Sequence, residues 1–277
     1  MSELDPIYTA LGFSRAPFSI SPDTSFFYPG SQHVTAYNNL LFAMRGGAMA
    51  VLTGEVGLGK TLICRNLLRN IPTNVHVALL ANPLLSYAEI LASIFKDFTG
   101  EAPRHPDSLA QTHEQLTNYA FKCAHLGEYL VVMVDEAQKL SAEALEGLRL
   151  LSNLETEQRK LISLVLVGQP ELEKTLALRA MRPLRERIGV WCRLGPMSRA
   201  ECASYVRHRM AVTRTSGDVH FSAMALFFLH RATKGVPRRI NLVAERALLL
   251  AFGRSQHRIN GFMVRRAVAE LRPGRFA

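Results

Sequence analysis

The stretch "VLTGEVGLGKT", residues 51–61, decides how this chain is read. Its last eight residues fit the pattern G-x-x-x-x-G-K-[ST], with Gly54, Gly59, Lys60 and Thr61 at the fixed positions. A pattern this short gains meaning only from its surroundings. Upstream, "AMAVLT" is a compact apolar run bounded by Gly46 and Gly47, which reads as a buried strand. Downstream, "TLICRNLLRNI" places Leu62, Ile63, Leu67 and Ile71 roughly on one helical face and stops before Pro72. A strand, a glycine-rich turn and a helix form a setting in which backbone N–H groups and a helix N-terminus surround phosphate oxygens. The expected nucleotide-binding residues are therefore Gly54, Glu55, Val56, Gly57, Leu58, Gly59, Lys60, Thr61 and Leu62. Lys60 would reach the β and γ phosphates of ATP, and the Thr61 hydroxyl would bind Mg²⁺.

Working outward, a chain of 277 residues with 48% hydrophobic residues can bury a substantial core in one large or two modest domains. Cys64, Cys123, Cys192 and Cys202 form no CxxC pair, and Cys64 falls inside the helix after the glycine-rich turn. Neither a disulfide framework nor a zinc site is suggested, and a reducing, cytoplasmic setting is expected. The start "MSELDPIYTALGF" lacks a basic segment followed by an apolar one, and no run approaches the roughly 18 apolar residues of a membrane span. Membrane contact, if any, is expected to be peripheral, through a partner. Charge is unevenly placed: residues 198–277 hold 15 Lys and Arg against 4 Asp and Glu, a net +11, whereas residues 1–197 hold 18 and 19, a net −1. A basic region of that density suits nucleic acid, anionic lipid or an acidic partner, or else consists of solvated helix faces.

Strands and helices then alternate. "VHVALLANP", "YLVVMVDE", "LISLVLVGQ" and "GVWCRLG" read as strands, and "SYAEILASIFKDF", "SLAQTHEQLTNYAFKCAHLG" and "SAEALEGLRLLSNLET" as helices, the last with Ser141 as N-cap. This predicts an α/β fold with a mostly parallel sheet covered on both faces. From Ser198 the period becomes wholly helical: "SRAE" is a capping box opening "AECASYVRHRMAV", followed by "SAMALFFLHRAT", "PRRINLVAERALLLAFG" and "NGFMVRRAVAEL". Residues 1–196 are expected to form the nucleotide-binding domain and 197–277 a basic helical domain, with the boundary near Gly195-Pro196.

Four further elements carry chemistry. "VVMVDEAQ" ends an apolar run in Asp135 and Glu136, as expected of a strand beside the glycine-rich-turn strand whose acid holds Mg²⁺ through water, the adjacent Glu136 acting as base toward the attacking water. Gln169, directly after the strand "LVLVG", would project from the same sheet edge toward the γ-phosphate or that water. In "MRPLRERIGV", a guanidinium could be supplied to a neighbouring subunit's ATP, with Arg187 the first choice, then Arg185, with Arg182 also in reach. In "KGVPRRIN", Gly235 and Pro237 make a tight helix entry, so Arg238 emerges in the first turn, where it could fold over the nucleotide.

These elements, in this order and with a helical C-terminal domain, resemble the AAA+ ATPases, and within them the ExeA/GspA-like group of type II secretion, which includes MshM-like pilus-biogenesis proteins. The resemblance is carried by "LGFSRAPFSISPDTSFFYPGSQHVTA", "LLSNLETEQRKLISLVLVGQPEL", "LRERIGVWCRLGPMSRAECASYVRHRM" and "GVPRRINLVAERALLLA". It implies a P-loop fold with a five-stranded parallel sheet and a small helical lid, and ATP with Mg²⁺ as cofactors. It also implies a γ-phosphate sensor at Gln169, a trans-acting arginine in "LRERI", a second sensor at Arg238, and a place near the adenine for "PFSISPD" and His33. Longer members continue into a membrane span and a periplasmic peptidoglycan-binding domain, and this chain is expected to be similar to the short members. The function so implied is ATP-driven oligomerisation, as a ring or filament, that assembles a type II secretion or type IV pilus-like apparatus through a membrane-embedded partner. Two alternatives stay open: a DNA-bound transposition regulator resembling TnsC, TniB and MuB, which the basic C-terminal region favours, and a nucleotide-gated scaffold with negligible turnover.

Overall fold

A computed structural model describes residues 5–105, 108–157 and 159–271; the ends of the two expected domains, at 1 and 277, lie outside them. In chain order the elements are α1 (Asp5–Ala10), α2 (Ser31–Gly46), β1 (Met49–Gly54), α3 (Lys60–Arg69), β2 (Val75–Leu80), α4 (Tyr87–Thr99), α5 (Leu109–His125), β3 (Tyr129–Val134), α6 (Ala142–Leu151), β4 (Ile162–Gly168), α7 (Pro170–Ala177), α8 (Arg182–Arg185) and β5 (Ile188–Leu194). The remainder is α9 (Arg199–Thr213), β6 (His220–Phe221), α10 (Ala223–Thr233), α11 (Pro237–Phe252), β7 (Arg258–Ile259) and α12 (Gly261–Glu270).

Strands β1 to β5 form one all-parallel sheet in the order β2-β3-β4-β1-β5. The residue pattern explains the order. Every residue of β1 and β4 is buried, and so is all of β3 after Tyr129, as three central strands covered on both faces require. In β2 and β5 buried positions are interrupted by exposed ones, as suits the two edges. The strand ending in Asp135 is not beside β1: β4 lies between them, contrary to expectation. Hydrophobic period tells a buried strand from an edge strand but carries no information about which buried strands are neighbours.

Two compact units result. One comprises Gln32–Val56 and Ile63–Leu194 and holds the sheet, with a core built from β1 to β4, α4, α5 and α6 that includes Val51, Ile94, Leu116, Val132, Leu148 and Leu164. The other comprises the described residues up to Ser31, Gly57–Leu62 and those from Gly195 onward. Its core joins Met197, just before α9, and Cys202, Val206, Leu229, Ile240, Ala247 and Val264 of the helices to Tyr8, Leu11, Phe13 and Phe18. The N-terminal segment, expected in the nucleotide-binding domain, thus packs with the helices that follow residue 195. Its placement with those helices depends on tertiary burial and on hydrogen bonds to them, neither of which a local sequence pattern records.

A buried cation fixes that segment. Arg209 of α9 is 3% exposed, and its Nε and Nη2 donate to the carbonyl oxygens of Pro17 and Ser19, both at 2.6 Å, while its guanidinium lies 3.8 Å from the centroid of Phe26. Asn241 of α11 accepts from the Tyr205 hydroxyl at 2.8 Å. The Tyr8 hydroxyl donates to Glu245, whose carboxyl is pushed above the ordinary carboxylate range by burial, against the opposing pull of that hydroxyl and of Arg209.

Local signals behave as expected. Ser86 and Ser198 form capping boxes with Glu89 and Glu201, and Ser141 caps α6 through the Ala144 N–H. Gly235 has φ +75°, and a Cβ there would stand 2.0 Å from the Met197 carbonyl oxygen, so only glycine fits the entry to α11. Helix α6 stops at Leu151, short of the "SNLET" included in its sequence pattern, and α3 stops at Arg69.

Candidate functional site

The register of the sheet fixes where the candidate residues emerge. Thr53 of β1 pairs with Gly168 of β4, and Val134 of β3 pairs with Leu166, so the three central strands end within about two residues of each other. Gly54, Asp135 and Gln169 are the last or next residues of those strands, at the carboxyl edge where ligands bind open α/β sheets.

From Gly54 the chain passes through Glu55–Gly59 into α3, whose first residue is Lys60. Gly57 and Gly59 have φ of +85° and +98°, a backbone conformation that turns successive N–H groups to one side and makes an anion-binding concavity. Leu58 and Lys60 are buried, Gly57, Gly59, Thr61 and Leu62 half-buried, and Glu55 and Val56 exposed. Gly57 touches the start of α11: its carbonyl accepts from the Arg238 N–H at 3.2 Å, and a Cβ at 57 would stand 2.7 Å from the Arg238 Cβ. Arg238 occupies the first turn of α11 just after Pro237, exposed and adjoining the glycine-rich turn.

At the tip of β3, Asp135 receives the Glu136 N–H on Oδ1 at 2.9 Å, and the Asp135 N–H donates to the Leu80 carbonyl. Glu136 adopts a left-handed conformation, φ 54° and ψ 34°. Its Oε2 receives Gln138 Nε2 at 2.8 Å and Gln169 Nε2 at 3.3 Å, with Lys139 Nζ at 3.7 Å. The Gln169 N–H donates to Gln138 Oε1 at 3.0 Å. The structure therefore brings Glu136 and Gln169 together through Gln138, a residue the sequence reading passed over although it stands two positions after Glu136.

A second cluster that the sequence did not signal ties three elements at this edge. Thr53 Oγ1 donates to Glu173 of α7, which is also ion-paired with Arg193 of β5. Burial acts to raise the Glu173 carboxyl, but the Thr53 hydroxyl and the Arg193 guanidinium outweigh it and hold it below the ordinary range.

The three candidate arginines Arg182, Arg185 and Arg187 differ in their commitments. Arg182 pairs with Glu186 at 2.7 Å, and Arg185 donates to the Ala177 carbonyl at 3.1 Å. Arg187 is exposed: its backbone N–H donates to the Leu184 carbonyl at 3.1 Å, its guanidinium makes no hydrogen bond among the described residues, and its charge is felt at Glu155. None of the three joins the Glu136 network. His33 is buried in the first turn of α2.

The donor set suits Mg²⁺ carried on a nucleotide. That ion is held by one or two carboxylates together with phosphates and water, and the residues present offer the Thr61 hydroxyl and the Asp135 carboxylate. Among the described residues no group of three or more His, Cys, Asp or Glu is arranged to hold a metal by protein ligands alone. No described helix is long and apolar enough to cross a membrane.

Comparison with known proteins bears on the family and the fold. A family model of an AAA domain matches residues 43–176. "General secretion pathway protein A" of Aeromonas hydrophila is 40% identical over 250 residues, which cover 90% of this chain, and the chain spans 45% of that protein's length. Among solved structures, Cdc6p of Pyrobaculum aerophilum superposes with a TM-score of 0.68 at 19% identity, over 93% of this chain and 71% of that one. ORC2 of Aeropyrum pernix, solved as ADPNP–ADP complexes, gives 0.65 at 17% identity, over 94% and 72%. At these identities the two structures share the fold. With a glycine-rich turn between β1 and α3, acidic residues at the tip of β3, a polar residue at the tip of β4 and a helical unit after the sheet, the chain belongs to the AAA+ P-loop proteins, in their ExeA/GspA-like group.

Proposed function

We propose that this protein binds ATP with Mg²⁺, hydrolyses it, and uses the cycle to drive oligomerisation and assembly of a type II secretion or type IV pilus-like apparatus. The observation that carries the hydrolytic part is the hydrogen-bonded set Glu136, Gln138 and Gln169 at the carboxyl edge of the sheet, one strand away from the strand that feeds the glycine-rich turn. In this reading Gly54–Leu62 wraps the phosphates with backbone N–H groups and Lys60 neutralises the β and γ phosphates. Thr61 and Asp135 would hold Mg²⁺, Asp135 through water, and the ion would supply neutralisation of charge on the phosphates. Glu136 orients and deprotonates the attacking water, Gln169 contacts the γ-phosphate or that water, and Arg238 lies over the nucleotide from the start of α11. Arg187, exposed and with no hydrogen bond to its guanidinium among the described residues, is the first choice to act on a neighbouring subunit's ATP, ahead of Arg185, which is held by the Ala177 carbonyl. The secretion role is suggested by the relative's name and the pilus role by the sequence resemblance; since the chain spans 45% of that protein, the role is proposed for the part they share.

A second reading, a DNA-bound AAA+ regulator, is favoured by one observation: residues 198–277 carry 15 Lys and Arg against 4 Asp and Glu. Steady-state ATP hydrolysis across a range of protein concentrations, with and without duplex DNA at near-physiological salt, separates the two. Specific activity that rises with concentration and ignores DNA supports the oligomeric secretion or pilus reading, and turnover that requires DNA supports the other. Lys60→Ala should lose nucleotide affinity, whereas Glu136→Gln should bind ATP and turn over at least about 10²-fold more slowly. Unchanged turnover in Glu136→Gln removes that residue from its role, and wild-type binding without turnover leaves a nucleotide-gated scaffold.

A further inference from the structure

We infer that Gln138 is the positioning residue of this site: its side-chain amide ties the tip of β3 to the tip of β4 and so makes the orientation of Glu136 depend on the position of Gln169. This inference rests on the ATPase reading and extends it to a residue whose amide acts through Glu136 and Gln169.

The amide has chemically fixed ends. Its Oε1 meets the Gln169 backbone N–H at 3.0 Å, and an N–H can be met only by an acceptor. Its Nε2 is then turned to the Glu136 carboxylate, at 2.8 Å, which can be met only by a donor. Of the two amide side chains, only glutamine supplies an acceptor and a donor at this reach. A glutamate at 138 would place a second carboxylate against Glu136, an asparagine is one methylene short, and an alanine supplies neither group.

The surroundings are shaped around the bridge. Gly168 has an ordinary φ, so its backbone would tolerate a side chain, yet a Cβ there would stand 2.9 Å from Gln138 Oε1 and 3.0 Å from Leu172 Cδ2. The glycine therefore gives the amide room to reach Gln169. Gln169 is the N-cap residue of α7 but makes no capping bond with its side chain, which donates instead to the same Glu136 oxygen. The left-handed turn at Glu136 and the short 3₁₀ turn Ala137–Lys139 bring residues 136 and 138 into hydrogen-bonding reach of each other. A displacement of Gln169 is thereby passed to Glu136 along two routes, one through its own amide and one through Gln138.

The test measures ATP turnover, its pH profile and the affinity for a fluorescent ATP analogue, in the full chain carrying Gln138→Ala, Gln138→Glu, Gly168→Ala, or Gly168→Ala with Gln138→Ala. Gln138→Ala should bind the analogue within about 3-fold of wild type and turn over roughly 10- to 100-fold more slowly, the scale at which a misplaced group costs rate. Gln138→Glu should also be slow, with the acid limb of its pH profile moved to higher pH by the added carboxylate. Gly168→Ala should be slowed several-fold alone and should slow Gln138→Ala no further, because it acts by displacing the same amide. Turnover within about 2-fold of wild type in Gln138→Ala overturns the inference, as does a Gly168→Ala effect that persists undiminished when Gln138 is absent. If Gln138→Ala does not fold, Gln138→Glu and Gly168→Ala still decide the matter through the pH profile and the rate. Wild-type protein that binds the analogue but never hydrolyses ATP overturns the ATPase reading itself, and the inference with it.

Discussion

Replacing Arg209 by methionine should release the N-terminal segment from the helical unit. The guanidinium donates to two carbonyl oxygens, of Pro17 and Ser19, and stacks over Phe26 at 3.8 Å, at a site that is 3% exposed. Methionine keeps much of the apolar stem and removes the charge and both donors. Charge-assisted bonds lost from buried acceptors cost about 1–3 kcal/mol each. The desolvated cation–π contact adds about 2 kcal/mol. Two terms offset this. Desolvation already disfavours the charged form of Arg209, and that penalty disappears with it. The Ser19 carbonyl also keeps a longer contact from Asn241 Nδ2 at 3.5 Å. A net loss of about 2–4 kcal/mol follows. Because Pro17, Ser19 and Phe26 all lie in one stretch, the loss should be local. Native-state hydrogen exchange should show amides between Phe13 and Phe27 exchanging roughly 30- to 10³-fold faster, at 1.4 kcal/mol per tenfold, with those of β1 and β4 unchanged. Exchange in that segment within about 3-fold of wild type would refute the clamp. An equal rise in β4 would refute its local character.

The Glu245 carboxyl is raised by burial, so the folded state binds its proton more tightly than the unfolded chain, and ionisation costs stability as pH rises from the unfolded carboxylate value through the folded one. Glu245→Gln should therefore gain on wild type in urea titrations as pH rises from about 4 to 7, and a variant that instead loses ground over that range would show the sign to be wrong. Arg187→Ala should bind ATP normally and lose at least about 10²-fold in turnover, and mixing it with Lys60→Ala should restore activity if the guanidinium acts across subunits. No recovery on mixing would pass the role to Arg185 or Arg182, or place it within one chain.

The strands were legible because the three central ones are almost wholly apolar runs, broken only by Thr53 and Ser163, and the helix starts were legible where a serine precedes a glutamate by three, as at Ser198 and Glu201. Gly54–Leu62 was legible as a fixed spacing, and Asp135, Glu136 and Gln169 as the polar residues at which apolar runs stop. Position within the sheet was not. That β4 lies between β1 and β3 depends on crossover connections, and nothing in the composition of the strands records it. Helix α2 begins with Ser31, Gln32 and His33, has no acid in its first turn and shows little segregation of its apolar residues, so it offered no start signal and only a weak period. Gln138 and Gly168 escaped notice for a different reason: the fold brings them together across 30 residues of chain, in a contact that no local pattern records.

Glu136 shows why such a bridge is needed. A non-glycine residue in the left-handed region costs on the order of 1 kcal/mol or more, and it persists only where its surroundings leave no alternative. Here the N–H of Glu136 is engaged by Asp135, the next residue, Ala137, is buried, and the side chain is held by Gln138 and Gln169. Asp135 and Glu136 are adjacent yet have different tasks in the proposed reaction, one toward the metal and one toward water. In an extended strand adjacent side chains alternate between opposite faces. The left-handed turn breaks that alternation at the point where β3 ends, freeing the direction of Glu136 from that of Asp135. The direction it then takes is set by Gln138, whose other end is fixed to the tip of β4. The strain at one residue and the amide two positions later thus belong to a single device, which aims a carboxylate from the end of a strand and makes its aim depend on the neighbouring strand.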